Sequence, residues 1–220
     1  MKKLILGLAV TASSLAFAQT TTTTTTTTRS TSSSDVRFGI KAGMNVSSLS
    51  DDGALEDQGS KIGFNAGVFA TIPVAESFSI QPEVIYTQYG DKYDYRAPIT
   101  NDRISYARHL DYVAVPLMFQ YNFIPNLYVE AGPEFGFLVS AKNKLKNESN
   151  NDPLNTTGDY KDQLNTFNLG IGLGAGYYFT DNIGLTARYT AGVTDVAKDR
   201  PNGSDAIRNN NFAVGLAFKF

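Results

Sequence analysis

From Val36 to Phe220, apolar residues recur at every second position in eight segments. That spacing belongs to a strand with one face against an apolar medium. The segments run over residues 36–46, 62–72, 78–86, 113–123, 127–139, 167–179, 183–193 and 212–220. None of these alternate positions carries a charge, and their only polar atoms are Tyr hydroxyls. The positions between them hold most of the 19 glycines, with Arg37, Lys41, Glu83, Glu130, Glu134, Arg188 and Lys219 among the polar residues. One face is greasy throughout; the other is small, polar and charged with both signs. The pattern predicts an all-β fold, an eight-stranded antiparallel up-and-down β-barrel spanning residues 36–220.

Two barrels share this alternation. A soluble periplasmic ligand-binding barrel turns the greasy face inward, and a transmembrane barrel turns it toward lipid. The ends of the greasy faces separate them. Phe78, Tyr86, Phe123, Phe167, Tyr177, Phe179 and Phe212 lie toward segment ends, with aliphatic residues between. Aromatic girdles at two membrane interfaces require that banding, and an interior cavity does not. The connections agree. Residues 74–77, 124–126 and 180–182 make short turns, whereas 47–61, 87–112, 140–166 and 194–211 make long loops. Strict alternation of short and long places both barrel termini in the periplasm, with the long loops outside. A mean hydropathy of −0.20 is compatible with this, because alternating strands average to near neutral. Pro82, Pro116 and Pro133 fall inside proposed strands. A closed barrel has no edge to hide a missing donor, so bulges or open ladders are expected there.

The N-terminal residues read as a secretory signal peptide, 1–18. Lys2 and Lys3 precede the apolar run Leu4–Val10, and Ala16-Phe17-Ala18 offers a cleavage site. Nine consecutive threonines, Thr20–Thr28, open a Thr/Ser-rich tether over 19–35 that cannot bury enough apolar surface to fold. No Cys follows the cleavage site, so a lipid anchor is excluded. The last strand ends in Phe218-Lys219-Phe220 and resembles the terminal strand of bacterial outer-membrane barrels. That resemblance implies the barrel-assembly machinery as a partner reading Phe218 and Phe220.

Chemistry is sparse. A net charge of −2 argues against nucleic acid, and zero Cys with one His leaves little for thiol or metal catalysis. No cofactor is expected. His109 lies between Ser105 and Asp111 in loop 2, but such a triplet satisfies no triad geometry. Asp51, Asp52, Glu56 and Asp57, opposed by Lys61, read as a solvated acidic loop without a calcium-binding pattern. Loop 3 holds polar residues and the sequon at Asn155. Enclosed charges must pair. Arg188 is therefore expected to bridge Glu130 and Glu134, with Lys41, Glu83, Arg37 and Lys219 in the same ion-pair network of a filled lumen.

The stretches FGIKAGMNVSSL, GFNAGVFATIPVAESFSIQPEVIYTQYGDK, LDYVAVPLMFQYNF, LYVEAGPEFGFLVSAK, FNLGIGLGAGYYFTDNIGLTARYTAGVTDV and NNFAVGLAFKF resemble the small outer-membrane β-barrel family of Bacteroidetes, often called PorT-like. The Q-P-E, E-x-G-P, G-x-G-Y and A-R-Y-x-x-G elements carry the likeness as a set. The resemblance implies a Gram-negative outer-membrane location and outer-membrane lipid as a partner, but no single activity. The expected role is non-enzymatic, structural or surface interaction, with protein partners engaged through the loops. A subunit of a larger outer-membrane assembly, such as a secretion machine, is the alternative from another class.

Overall fold

The structure, a computed structural model, describes residues 35–50, 58–96, 103–147, 158–159, 161–198 and 206–220. The expected signal peptide, nearly all of the expected tether, the acidic residues of loop 1 and the Asn155 sequon lie outside the described residues.

Eight long strands make the wall: β1 (Arg37–Ser50), β2 (Gln58–Ala75), β3 (Phe78–Arg96), β4 (Arg103–Ile124), β5 (Leu127–Asn147), β7 (Phe167–Tyr178), β8 (Ile183–Gly192) and β9 (Arg208–Lys219). A two-residue strand, β6 (Gly158–Asp159), lies against β5. Each long strand pairs antiparallel with its neighbours in sequence, and β9 returns to β1 with Gly39 opposite Lys219 and Ser50 opposite Arg208. The result is a closed eight-stranded up-and-down barrel. Closure leaves no edge, which is what lipid demands of a sheet.

The greasy positions face outward. Met44, Ile62, Leu173, Leu216 and Phe123 are among the exposed large apolar side chains, while Asn45, Glu83, Glu130 and Arg188 are buried inside. Aromatics flank this surface in two groups. Phe78, Phe123, Tyr177, Phe179, Phe218 and Phe220 lie toward the turn end, with ring contacts Phe78–Tyr121, Tyr177–Phe179 and Phe218–Phe220. Tyr86, Phe167 and Phe212 lie toward the loop end, where Tyr86 packs on Phe64 and Phe167 on Phe137.

Strand lengths correct the expected loops. A strand crosses tilted in about 9–11 residues, yet β3, β4 and β5 have 19, 22 and 21. Much of the expected loops 87–112 and 140–166 is therefore strand continuing beyond the lipid band. His109 consequently sits in β4, opposite Gly90 and Lys142, and not in a loop. Lys61 sits in β2 with its side chain buried inward, and the acidic residues it was expected to oppose lie outside the described residues.

The prolines also behave differently from the expectation. Pro82 pairs with Leu117, Pro116 with Glu134 and Pro133 with Ile171, all without a shift of register at those residues. The β3–β4 ladder resumes at Ile85–Ala114 and the β4–β5 ladder at Phe119–Ala131. The missing donor opens the ladder locally instead of adding a residue. Register shifts fall elsewhere, between Ser60 and Asn65 in β2 and at Val139 in β5, opposite Asp111 and Tyr112.

At the closing seam Gly43 lies directly opposite Gly215. A Cβ on Gly215 would stand 2.5 Å from the Ala42 carbonyl oxygen and 2.9 Å from the Gly43 Cα. Backbone, not a yielding side chain, fills that space, so the two strands approach as closely as they do because both residues lack a Cβ. Gly215→Val is expected to lower the yield of the fast-migrating, unheated form on gel electrophoresis, the signature of a closed barrel. A variant folding as efficiently as the parent would show that the seam can open to admit the side chain.

Candidate functional site

The lumen, not a cleft, gathers the polar residues of this chain. Its centre is Glu83 on β3, fully buried and approached from two sides. Lys41 on β1 donates Nζ to both of its oxygens at 2.9 and 2.8 Å. Arg188 on β8 presents Nη1 and Nη2 to the same two oxygens at 2.9 and 2.7 Å. The guanidinium edge bearing Nε turns to Glu130 Oε1 at 2.7 Å. A planar fork with five donors serves two carboxylates at once, which an ammonium cannot do with this geometry.

Neutral donors complete the shell. Gln81 gives Nε2 to Glu83 at 2.7 Å and accepts from the Thr71 hydroxyl at 2.9 Å. Gln120 gives Nε2 to Glu130 Oε2 at 3.0 Å. Burying charge without such partners would cost several kcal/mol per ion, about the size of the penalty for breaking an enclosed pair.

The expected bridge from Arg188 to Glu134 is not the arrangement found. Arg188 spans Glu83 and Glu130, and Glu134 accepts instead from Tyr89 Oη at 2.7 Å and Thr190 Oγ1 at 3.4 Å. The reason is geometric. Glu130 and Glu134 are four residues apart on β5, more than 12 Å along an extended strand, and Gly174, opposite Glu130, is the residue paired with Arg188. Arg37 and Lys219 also stand apart from the carboxylates. Among the described residues neither forms a salt bridge, and Lys219 Nζ lies over the Tyr178 ring, 3.8 Å from its centroid.

Above and below this polar layer lie buried apolar side chains that the alternation did not single out. Toward the turns, Phe69, Tyr128, Tyr178 and Ala217 form one cluster. Toward the loops, Leu49, Tyr89, Leu110, Tyr112, Leu138, Ala141 and Val196 form another, with Leu164 and Ile207 packed against it. A sequence signal for the upper cluster exists. On β4 the apolar phase changes from the outward Val113 to Tyr112 and Leu110, the change expected where a strand leaves lipid.

Val196 enters the upper cluster because two segments fold over the short strands β7 and β8. Asn165 donates Nδ2 to the carbonyls of Asp195 and Ala197, and the amides of Ala197 and Ile207 share Asp195 Oδ1. Opposite them, the β2–β3 ladder is broken near Gly90, whose φ of 139° is a conformation side chains disfavour. Three consecutive carbonyls freed there are captured by side chains: Gln88 by Asn45 at 2.6 Å, Tyr89 by Lys61 at 3.0 Å and Gly90 by Ser47 at 2.9 Å. Between the two clusters remains a chamber of about 40 Å³, bordered by Asn65, Glu134, Arg188 and Asn211. That volume suits a few waters at most.

A closed wall, an outward apolar surface and polar side chains buried inside together describe a membrane barrel, and the sequence agrees at family level. Residues 17–198 match the outer membrane protein beta-barrel domain. The chain belongs to this family of outer-membrane β-barrels. No curated protein matches it. Among solved structures, this outer-membrane barrel is similar to Ail, the attachment invasion locus protein of Yersinia pestis, at 13% identity over 84% of this chain and 98% of that one, with a TM-score of 0.48. Neisserial surface protein A is 18% identical over 83% and 97%, with a TM-score of 0.47. The outer membrane protease OmpT of Escherichia coli is 11% identical over 88% and 99%, with a TM-score of 0.39. Nothing that those proteins attach to or cleave is carried over.

In the outer-membrane barrel, removing Arg188 takes the cation from buried Glu130 and leaves Glu83 with Lys41 alone. Arg188→Met is expected to destabilise the folded barrel by about 3–5 kcal/mol, read as a lower urea midpoint for unfolding from micelles. Glu130→Gln in the same chain should restore much of the loss, because Glu83 keeps Lys41. Equal stability of parent and Arg188→Met would show that the network contributes nothing.

Proposed function

We propose that this chain is a non-enzymatic protein of the Gram-negative outer membrane, exported by a signal peptide over residues 1–18. In this reading both barrel termini are periplasmic, the lumen is plugged, and recognition is carried by the wall and loops outside. Fold does not fix activity, so the reading rests on the site. The supporting observation is the succession of fillings along the lumen: an aromatic cluster, the Glu83–Arg188–Glu130 network, then the Tyr89–Tyr112–Leu138 cluster. Eight strands enclose just enough space for side chains to fill, and here the charges neutralise one another instead of lining a path. A channel would leave its charged groups hydrated and facing an opening.

The resemblance to the PorT-like barrels of Bacteroidetes belongs to the same proposal. It supports this location and leaves the partner open.

In planar bilayers the purified barrel is expected to give no long-lived nanosiemens openings. Replacing Tyr89 and Tyr112 by Ala should raise leak above the parent. Robust openings of the parent barrel would overturn the plugged lumen.

Orientation is read separately, and the absence of Cys makes single-cysteine labelling clean. Asn182→Cys, in a turn, should react with an impermeant maleimide only after the outer membrane is breached. Lys92→Cys, at the opposite end, should react on intact cells. The reverse pattern would invert the proposed topology.

A further inference from the structure

One buried carboxylate stands outside the balanced part of the lumen. Lys41 and Arg188 bring two positive charges to the two negative charges of Glu83 and Glu130, so that group of four is neutral. Glu134, on β5, is a third buried carboxylate. Among the described residues no cation forms an ion pair with it. The next cations along the lumen are engaged elsewhere: Lys61 Nζ meets the Tyr89 carbonyl at 3.0 Å, and Arg108 lies 3.6 Å from Asp91. Two hydroxyls approach Glu134. Tyr89 donates to Oε1 at 2.7 Å, whereas Thr190 Oγ1 stands 3.4 Å from Oε2, long for a hydroxyl–carboxylate hydrogen bond. A carboxylate offers about four acceptor sites, and neutral donors do not cancel an enclosed charge.

Glu134 borders the chamber of about 40 Å³ between the apolar clusters. Thr190 on β8 and Asn211 on β9 border it too, and they lie opposite each other in register. Asn211 is 6% exposed, and its Oδ1 has no hydrogen-bond partner. An acceptor without a donor, beside a carboxylate without a cation, calls for a positive guest. The spacing agrees. Adjacent oxygens of an octahedral shell with metal–oxygen distances of about 2.4 Å stand about 3.4 Å apart. Thr190 Oγ1 and Glu134 Oε2 have that separation, 3.4 Å. The volume admits one small ion with a water or two. Asn65, also on the chamber, leaves its Nδ2 without an acceptor, and a water held by the ion would supply one.

We propose that this chamber binds one monovalent hard cation of sodium size, held by Glu134 Oε2, Thr190 Oγ1 and Asn211 Oδ1. Oxygen ligands select a hard ion. A single uncompensated carboxylate selects a single positive charge, because a divalent ion would leave positive charge buried without an answer. Bound there, the cation neutralises Glu134 and ties β5 to β8 and β9, strands that do not all pair directly. The site does not depend on which end of the barrel faces outward.

The test uses the full barrel, unfolded in urea at pH 8 and refolded into neutral micelles. Refolding is done in sodium chloride or in choline chloride of equal ionic strength, and the urea midpoint is read in each. The parent is expected to have the higher midpoint in sodium, with the ratio of folded to unfolded chains at a fixed urea concentration several-fold larger, because an ion that binds only the folded state stabilises it. Glu134→Gln should have the same midpoint in both salts, and Thr190→Val should shrink the difference. If neither variant folds, the comparison of salts on the parent decides. A parent midpoint indifferent to the salt would show that Glu134 holds a proton or is met by water alone, and would overturn the proposal. A sodium dependence that survives in Glu134→Gln would place the ion elsewhere and overturn it equally. Greater stabilisation of the parent by micromolar calcium would make the guest divalent and defeat the assignment.

Discussion

Hydrocarbon offers a peptide N–H no partner, so this chain depends on closing its own hydrogen-bond ladder. The pairing of β1 with β9 does so. Most other features are consequences of that closure. Eight strands make a narrow cylinder, and a narrow cylinder forces glycine onto the inner face wherever backbone crowds, as at Gly43 and Gly215. What remains of the inner volume must be filled without leaving a polar atom in the dark.

The filling shows how opposite demands are reconciled. A wholly apolar lumen would resemble the outer wall and leave no distinction between faces to fix register. A wholly polar one would need water. Here Glu83, Arg188, Glu130 and Lys41 draw together β1, β3, β5 and β8, strands far apart in sequence, across the barrel axis. Such bonds do little against an apolar replacement in net energy, but breaking one side is costly. A strand that slipped by one residue would leave such a charge facing lipid.

The outward face was legible because lipid imposes one rule on every position, from Val36 to Phe220. The aromatic positions and the order of short turns and long loops followed from the same rule. Above the lipid the rule lapses. Residues 87–96 hold only polar and Tyr side chains besides Gly90, so their strand character shows only in the ladder. The partner of Glu134 was not legible either. Which inward residues meet across the lumen depends on the stagger of all eight strands, a property no single segment carries. Val196 was missed because it reaches the lumen by a turn of chain, not by alternation.

The interrupted ladders beside Pro116 give the wall a built-in inequality. β4 loses paired residues toward both neighbours at mid-height, while β1, β8 and β9 are stitched continuously. A ring with one compliant stave does not deform evenly. Squeezed by a change in bilayer thickness or lateral pressure, it flexes at that stave and keeps its seam round. That stave, β4, is also the longest strand of the wall, so the place where the ladder is weakest and the place where the wall runs furthest share one segment of chain.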